Sequence, residues 1–542
     1  MNGNSLQGAA GVGQAVADCI IKGSHQRNML PFDIQRFTAQ HNIPKFLSER
    51  AKEVVGKHYQ LQYPLVSEFS SGRKIRCSTI HSELEDRGAV FGEKMGWEIP
   101  LYFDHYHHRG DAPAELPEEG SFSMPEFFHH VEKECDVCRQ GVGIIDMSSL
   151  AKFIVKGEKE ASVVNYLQNL CSNDVDIRVG GIVATGMLNE DGGYENDCLL
   201  VRRAENSFFV VSPTQQQTRI HEWMENHLPE DNSVGLQDVT SMYTVLSLVG
   251  PKSKDLMEEL CGEKMDIIPF RYREVNVGYG SGVMVMAVTN TGEPGYTLYI
   301  PSEFALQIYD NFMKVGHDYN ITNVGQLAMK FLRVEKFIPF WGEELSSVTT
   351  PIEVNRTFKV KLDKDKGSFI GKDALLEQKT EGIHKRLVQF HLKDFDKDED
   401  TWPWSGESIY RDKQFVGSVT SSAFGFTLNK MVALGFVQNK DPSTGESLPV
   451  TADWINYKDA NPQSSDAKWE IDIAGKMVPV SVHLHPPKMP IISQDGENAS
   501  MTSSIKPKNK HYSYSNLPVT APRKRWEQEE APKEEQEESM FG

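Results

Sequence analysis

The run Thr185-Gly-Met-Leu-Asn-Glu-Asp-Gly-Gly-Tyr-Glu-Asn-Asp-Cys198 sets two adjacent glycines among acids, just ahead of the apolar Leu199-Leu-Val201. Adjacent glycines after Asn-Glu-Asp spell a tight turn, and the apolar residues after it spell a strand. The turn therefore delivers Asp197 to the start of a buried strand, where a carboxylate is costly unless it is paired or used. A second run, Thr289-Asn-Thr-Gly-Glu-Pro-Gly-Tyr-Thr-Leu-Tyr-Ile300, presents Glu293 on a Gly-Glu-Pro-Gly turn before aromatic and branched residues of strand type. Two acids on two turns predict one shared pocket. Each acid also has a plainer reading: Asp197 capping its own turn through backbone N–H groups, and Glu293 stabilising the turn that carries it.

Together these runs resemble the two signature segments of the glycine-cleavage T-protein (aminomethyltransferase) family, a folate-binding architecture. The resemblance implies that Asp197 contacts the folate nitrogen that receives the one-carbon unit, beside Asn196 at a position often acidic in that family. It implies a pterin contact for Glu293, with Tyr296 as a stacking wall, although Asn290 stands where a tyrosine is common. Arg333 and Glu335, in Leu332-Arg-Val-Glu-Lys-Phe337, are further pocket candidates. Ion pairs with helix neighbours explain those two nearly as well.

The chain has 542 residues, long enough for about three or four domains. It contains no apolar run long enough to span a membrane as a helix. With 57 Lys and Arg against 76 Asp and Glu, a net charge of -19, it lacks the basic balance that phosphate backbones attract, so no nucleic-acid partner is expected. Seven scattered cysteines predict reduced thiols in an intracellular compartment rather than a disulfide framework. The sequon Asn498-Ala-Ser500 carries no weight without a secretory signal, and the opening Met1-Asn-Gly-Asn-Ser-Leu-Gln-Gly8 has neither a secretory nor a transit-peptide pattern.

Gly8-Ala-Ala-Gly11-Val-Gly13 reads as a glycine-rich turn opening a helix with Val12, Val16, Cys19 and Ile20 on one face and Gly23 as its C-cap. Such a turn offers N–H groups to an anion, but the spacing is not the dinucleotide fingerprint. The segment through Phe32-Asp-Ile-Gln-Arg-Phe37 resembles the C-terminal end of a glycine-oxidase-like FAD domain. That resemblance makes Gly8, Gly11 and Gly13 one wall of an FAD site whose remainder would lie upstream; a shortened chain is expected not to retain FAD. Residues 38–103, with Phe46, Leu47, Ala51, Val54 and Val55 on one helix face, resemble the central domain of dimethylglycine and sarcosine dehydrogenases.

The expected fold class is α+β: a truncated FAD-oxidoreductase remnant (1–37) and central domain (38–103), then a linker (104–120) rich in proline and acid. A T-protein-like folate-binding fold (121–380) follows, with an all-β, barrel-like C-terminal module (381–485) whose strands are predicted near 387–392, 415–420, 432–437 and 478–483. Beyond residue 486 the glutamate-rich sequence reads as a disordered charged tail. Helices are predicted through Phe127, Val131 and Cys135, over 163–171 and over 303–313.

His105-Tyr-His-His108, His129-His130 and Cys135-Asp-Val-Cys138 invite a metal reading. A single Cys-x-x-Cys on a helix and histidines around a linker do not supply four convergent ligands, and no metal is expected. No nucleophile triad or phosphate loop is present, so no catalytic residue is assigned.

Within the superfamily, Tyr194-Glu-Asn-Asp-Cys198, Ser212-Pro-Thr-Gln-Gln-Gln217, Phe337-Ile-Pro-Phe-Trp-Gly342, Trp402-Pro-Trp404 and Val450-Thr-Ala-Asp-Trp454 resemble the branch of pyruvate dehydrogenase phosphatase regulatory subunits. That branch implies a non-catalytic regulator in the mitochondrial matrix whose partner is the catalytic phosphatase subunit and whose effect is on magnesium dependence. The alternative is a folate-dependent demethylating flavoenzyme of the dimethylglycine/sarcosine dehydrogenase type, passing a one-carbon unit to tetrahydrofolate near Asp197. An inactive shortened form is a third reading.

Overall fold

The computed structural model describes residues 5–23, 28–58, 68–115, 121–364, 366–455, 467–489, 491–492 and 498–499. Most of the expected tail and part of the expected linker lie outside them; of the tail, Ile491–Ile492 and Asn498–Ala499 form a short antiparallel pair where disorder is expected.

The fold is α+β, as expected, and its framework is two sheets and a barrel. One sheet has five antiparallel strands in the order Ile182–Leu188, Tyr194–Ala204, Ser207–Ser212, Ala151–Gly157, Val234–Asp238. Another has six, in the order Tyr272–Val277, Gly280–Met286, Gly295–Pro301, Tyr243–Val249, Val142–Asp146, Ile321–Asn323, the last pairing parallel to its neighbour. The first signature run turns an edge hairpin, in which Thr185 pairs with Cys198, whereas the second leads into the interior strand Gly295–Pro301, where Gly295 pairs with Val249.

The C-terminal module closes on itself. Lys385–Leu392 pairs with Lys476–His483, then in turn come Trp469–Ile473, Ser408–Arg411, Gln414–Gly425 and Lys430–Lys440, which pairs back to Lys385–Leu392. Closure removes the free edges that short strands otherwise expose. The helix Gln326–Glu335 lies where the sheets, the barrel and the helix Phe128–Gln140 meet, burying Ala328, Phe331, Leu332 and Val334. Phe331 stacks on Phe426 of the barrel at 6.0 Å between ring centroids.

Ahead of this framework stands a two-stranded ribbon, Ala89–Lys94 with Trp97–Phe103. Glu134 of the helix Phe128–Gln140 ties it down, accepting the Phe103 N–H at 2.7 Å and the Gly325 N–H at 2.8 Å.

Two expectations for the N-terminal segment need correction. Gly8, Gly11 and Gly13 lie inside the helix Ser5–Lys22 rather than on a turn before it, and N–H groups within a helix point to carbonyls four residues back. Periodicity found the helix, and Gly23 caps it at a positive φ of 75°, but the apolar face stays exposed: Val12, Val16 and Ile20 are all open to solvent. Likewise, in the helix Pro44–Lys57 only Phe46 is buried, while Leu47, Val54 and Val55 are exposed. Helical spacing marks a face; it does not supply a partner for it.

Candidate functional site

Gly193 shows why the first signature run must carry its glycines. A Cβ at this position would sit 1.8 Å from the Ser347 carbonyl oxygen, so the turn packs backbone to backbone against the loop after Trp341. Asn189 fastens it, accepting the Gly193 N–H at 2.8 Å and donating to the Ser347 carbonyl at 2.9 Å. The strand that follows then alternates. Asn196 is fully buried and accepts the Ser212 hydroxyl at 2.6 Å, while Asp197 faces the other way.

Asp197 meets two cations there. Its Oδ2 accepts from Arg356 Nη1 at 2.7 Å and its Oδ1 from Lys359 Nζ at 2.8 Å. Arg356 precedes the 3-10 turn Thr357–Lys359, whose last residue is Lys359, so one turn of backbone brings both cations to the same carboxylate. Arg356 also donates to the Pro339 carbonyl at 2.8 Å. Burial acts to raise the Asp197 carboxyl, but the Arg356 and Lys359 charges outweigh it and hold the group below its ordinary value. Burial and the Arg356 charge push the Lys359 ammonium down against the pull of Asp197.

Glu293 belongs to a second ion cluster. Its Oε1 lies 2.8 Å from Arg139 Nε and 2.8 Å from Lys336 Nζ, and Arg139 also reaches Glu335 at 2.7 Å. Glu335 accepts the Thr427 and Leu428 N–H groups, both at 2.8 Å, which pins the end of its helix to the barrel. Two acids and two bases balance here, and burial raises the Glu335 carboxyl and lowers the Lys336 ammonium.

The acids of the two signature runs thus anchor separate clusters, with the turn from Lys336 to Pro339 running between them. Arg333 belongs to neither: it is 2% exposed and binds Glu344 at 3.0 Å, Glu343 at 2.7 Å and the Ser421 hydroxyl at 3.2 Å. Its partners are in the following loop and the barrel, not the helix neighbours the spacing suggested. Tyr296 is a core residue instead of a stacking wall, packed with Leu298 and Ile300 and donating its hydroxyl to the Met265 carbonyl at 2.8 Å.

A reduced folate would need Asp197 and Glu293 turned toward it. Here Asp197 has one cation on each oxygen and both Glu293 contacts fall on Oε1, so a folate would have to share these acids with the chain's own cations. The glycines expected to face FAD do not fit it, since Gly11 and Gly13 are internal to a helix. A surface cavity of about 290 Å³ is lined by Glu83, Asp86, Arg87, His107, His108 and Arg109, none of them a candidate folate residue. Cys135 and Cys138 are buried with their thiols pushed well up by burial, and no group of three or more metal-ligating side chains converges among the described residues.

Sequence reasoning missed Arg356, Lys359, Arg139 and Lys336. The one available signal was Asn355-Arg-Thr-Phe-Lys359, two bases three apart that a single helical turn brings to one side.

Comparison with known proteins places these features. The GCVT N-terminal domain matches residues 80–364, more than half of the chain; the glycine cleavage T-protein C-terminal barrel domain matches 385–487, and the FAD dependent oxidoreductase central domain matches 22–78. The chain is 42% identical over 489 residues to the mitochondrial pyruvate dehydrogenase phosphatase regulatory subunit of Mus musculus, covering 90% of this chain and 54% of that protein. It is 30% identical over 499 residues to the mitochondrial sarcosine dehydrogenase of Homo sapiens, covering 84% of this chain and 52% of the enzyme. With an aminomethyltransferase of Thermoanaerobacter pseudethanolicus it shares 30% identity over 331 residues, 61% of this chain and 87% of the enzyme. The chain therefore spans about half the length of the regulatory subunit and the dehydrogenase. The crystal structure of aminomethyltransferase T from Bartonella henselae superposes with a TM-score of 0.59 at 20% identity, covering 76% of this chain and 97% of that one, which supports the shared fold. Sheets, barrel and sequence agree: the chain belongs to the GCVT family, with a T-protein C-terminal barrel and an FAD dependent oxidoreductase central domain.

Proposed function

We propose that this chain is a non-catalytic regulatory subunit of a mitochondrial pyruvate dehydrogenase phosphatase, located in the matrix, whose partner is the catalytic phosphatase subunit and whose effect is to change that subunit's magnesium dependence. The observation that carries this reading is the pairing of Asp197 with Arg356 and Lys359. An enzyme that handed a one-carbon unit to folate would aim this acid at its ligand; here the acid holds two of the chain's own cations. The comparisons lean the same way, with 42% identity to a regulatory subunit against 30% to a dehydrogenase and to an aminomethyltransferase.

A regulator without a nucleophile of its own alters a partner's rate only by binding one state of that partner more tightly than another. The experiment is capture of the purified catalytic subunit by this chain, with calorimetry against tetrahydrofolate in parallel. Capture without folate binding supports the regulator. Folate binding and folate-dependent demethylation without capture support the second reading, an enzyme of the dimethylglycine/sarcosine dehydrogenase type, which the 87% coverage of an aminomethyltransferase favours.

A further inference from the structure

The segment just before residue 38 does not lie loose beside the T-protein-like fold; it is gripped by one helix, Gln217–Asn226, at successive positions. Thr218 donates its hydroxyl to the Phe37 carbonyl at 3.0 Å, and Gln35 donates its amide to Glu222 at 2.5 Å. Between these contacts stands Arg219, with a side chain only 13% exposed. Its Nη1 binds the Asp33 carboxylate and lies 3.3 Å from Gln35 Oε1, while its Nη2 binds the Glu195 carboxylate.

Glu195 stands two residues before Asp197 on the signature strand. The Glu195 carboxylate also accepts from Asn189 at 3.2 Å, the same Asn189 that holds the Gly193 turn against Ser347. Its backbone carbonyl accepts from Gln216 Nε2 at 2.9 Å, and Gln216 Oε1 accepts the Asp197 N–H at 3.4 Å. A planar guanidinium with a carboxylate oxygen on each arm sets the direction from one acid to the other, which a flexible ammonium would not do.

We propose that Arg219 is a positioning residue that couples the seating of the N-terminal segment to the conformation of the turn and strand carrying Asp197. When Asp33 is in place, Arg219 is held flat against Glu195, and Glu195 with Asn189 holds the turn closed. When Asp33 leaves, Arg219 loses the arm that orients it and the turn loosens. The inference needs neither the phosphatase nor the folate reading, since it concerns two parts of one chain.

Native-state hydrogen exchange on the whole chain tests it. Asp33→Ala is expected to lower protection of the Gly193, Tyr194 and Asp197 amides roughly tenfold, as for contacting residues of one network, while amides of the barrel strand Lys385–Leu392 keep theirs. In an Arg219→Met background, Asp33→Ala is expected to add nothing at those three amides, and that second arm separates coupling through Arg219 from local loss of the Asp33 cap on Gln35. Unchanged protection at Gly193 to Asp197 in Asp33→Ala overturns the proposal, and so does an equal loss whether residue 219 is Arg or Met. A fall in barrel protection marks global destabilisation; Glu195→Gln then replaces Arg219→Met in the cycle, with the same two outcomes deciding.

Discussion

Asp197 and Arg356 lie 159 residues apart in sequence and 2.7 Å apart in the structure, one on the second strand of a hairpin and the other at the entrance to a 3-10 turn. Lys359, on the same turn, takes the other carboxylate oxygen. Asp197 is thus the carboxylate shared by two buried cations, and that gives it a structural cost of removal.

Asp197→Asn is therefore expected to destabilise the chain. It keeps the shape but strips the charge opposite Arg356 and Lys359, and removing one member of a buried pair costs about 3–5 kcal/mol. Urea denaturation followed by circular dichroism measures it, and an unchanged midpoint would mean that both cations find other acceptors. Adding Arg356→Leu and Lys359→Met to Asp197→Asn is expected to recover part of the loss, because the two buried cations that faced Asp197 are then gone.

Gly193→Ala is expected to be among the most damaging small substitutions. The added Cβ would lie 1.8 Å from the Ser347 carbonyl oxygen, a backbone atom that has no rotamer to escape into. Overpacking of this kind costs about 1–3 kcal/mol or more. The thermal midpoint reads the cost, and the chemical shift of the Asn189 side-chain amide reads the turn itself.

Lys152 gives a pH dependence. It is fully buried, donates to the Ser148 carbonyl at 2.8 Å, and burial brings its ammonium down to about 7 against the opposing pull of Asp146 and Asp238. Between that value and the ordinary lysine range the unfolded chain holds a proton that the folded chain has released, so stability rises with pH across this window. The slope tends to about 1.4 kcal/mol per pH unit at most. Lys152→Met removes it: the stability of wild type relative to the variant is expected to increase between pH 7 and 9, and parallel curves would contradict the buried lysine's titration.

How much of this was legible in the sequence depends on the range of the interaction that decides it. The strand following Gly193 and the barrel strands were readable because alternation and turn residues act within a few positions. So was the helix Ser5–Lys22, whose spacing is local, but not the exposure of Val12 and Ile20, which depends on what packs there. Asp197 was legible as a costly carboxylate that needs a partner; Arg356 and Lys359 were not legible as that partner. Nothing in a pattern links positions more than 150 residues apart until the chain is folded. Tyr296 looked available because it follows a turn, yet alternation along Gly295–Pro301 sends it to the core with Leu298 and Ile300.

On the proposed function this chain acts through a partner's equilibrium and contributes no phosphatase chemistry of its own. Titrating magnesium against the activity of a catalytic pyruvate dehydrogenase phosphatase subunit, with and without this chain at a concentration where binding is independently demonstrated, tests it most directly. The expected result is a higher magnesium concentration for half activity when the chain is bound, with no phosphatase activity from the chain alone. Superimposable magnesium curves in the presence of a demonstrated complex would contradict it and move the folate-dependent enzyme to first place.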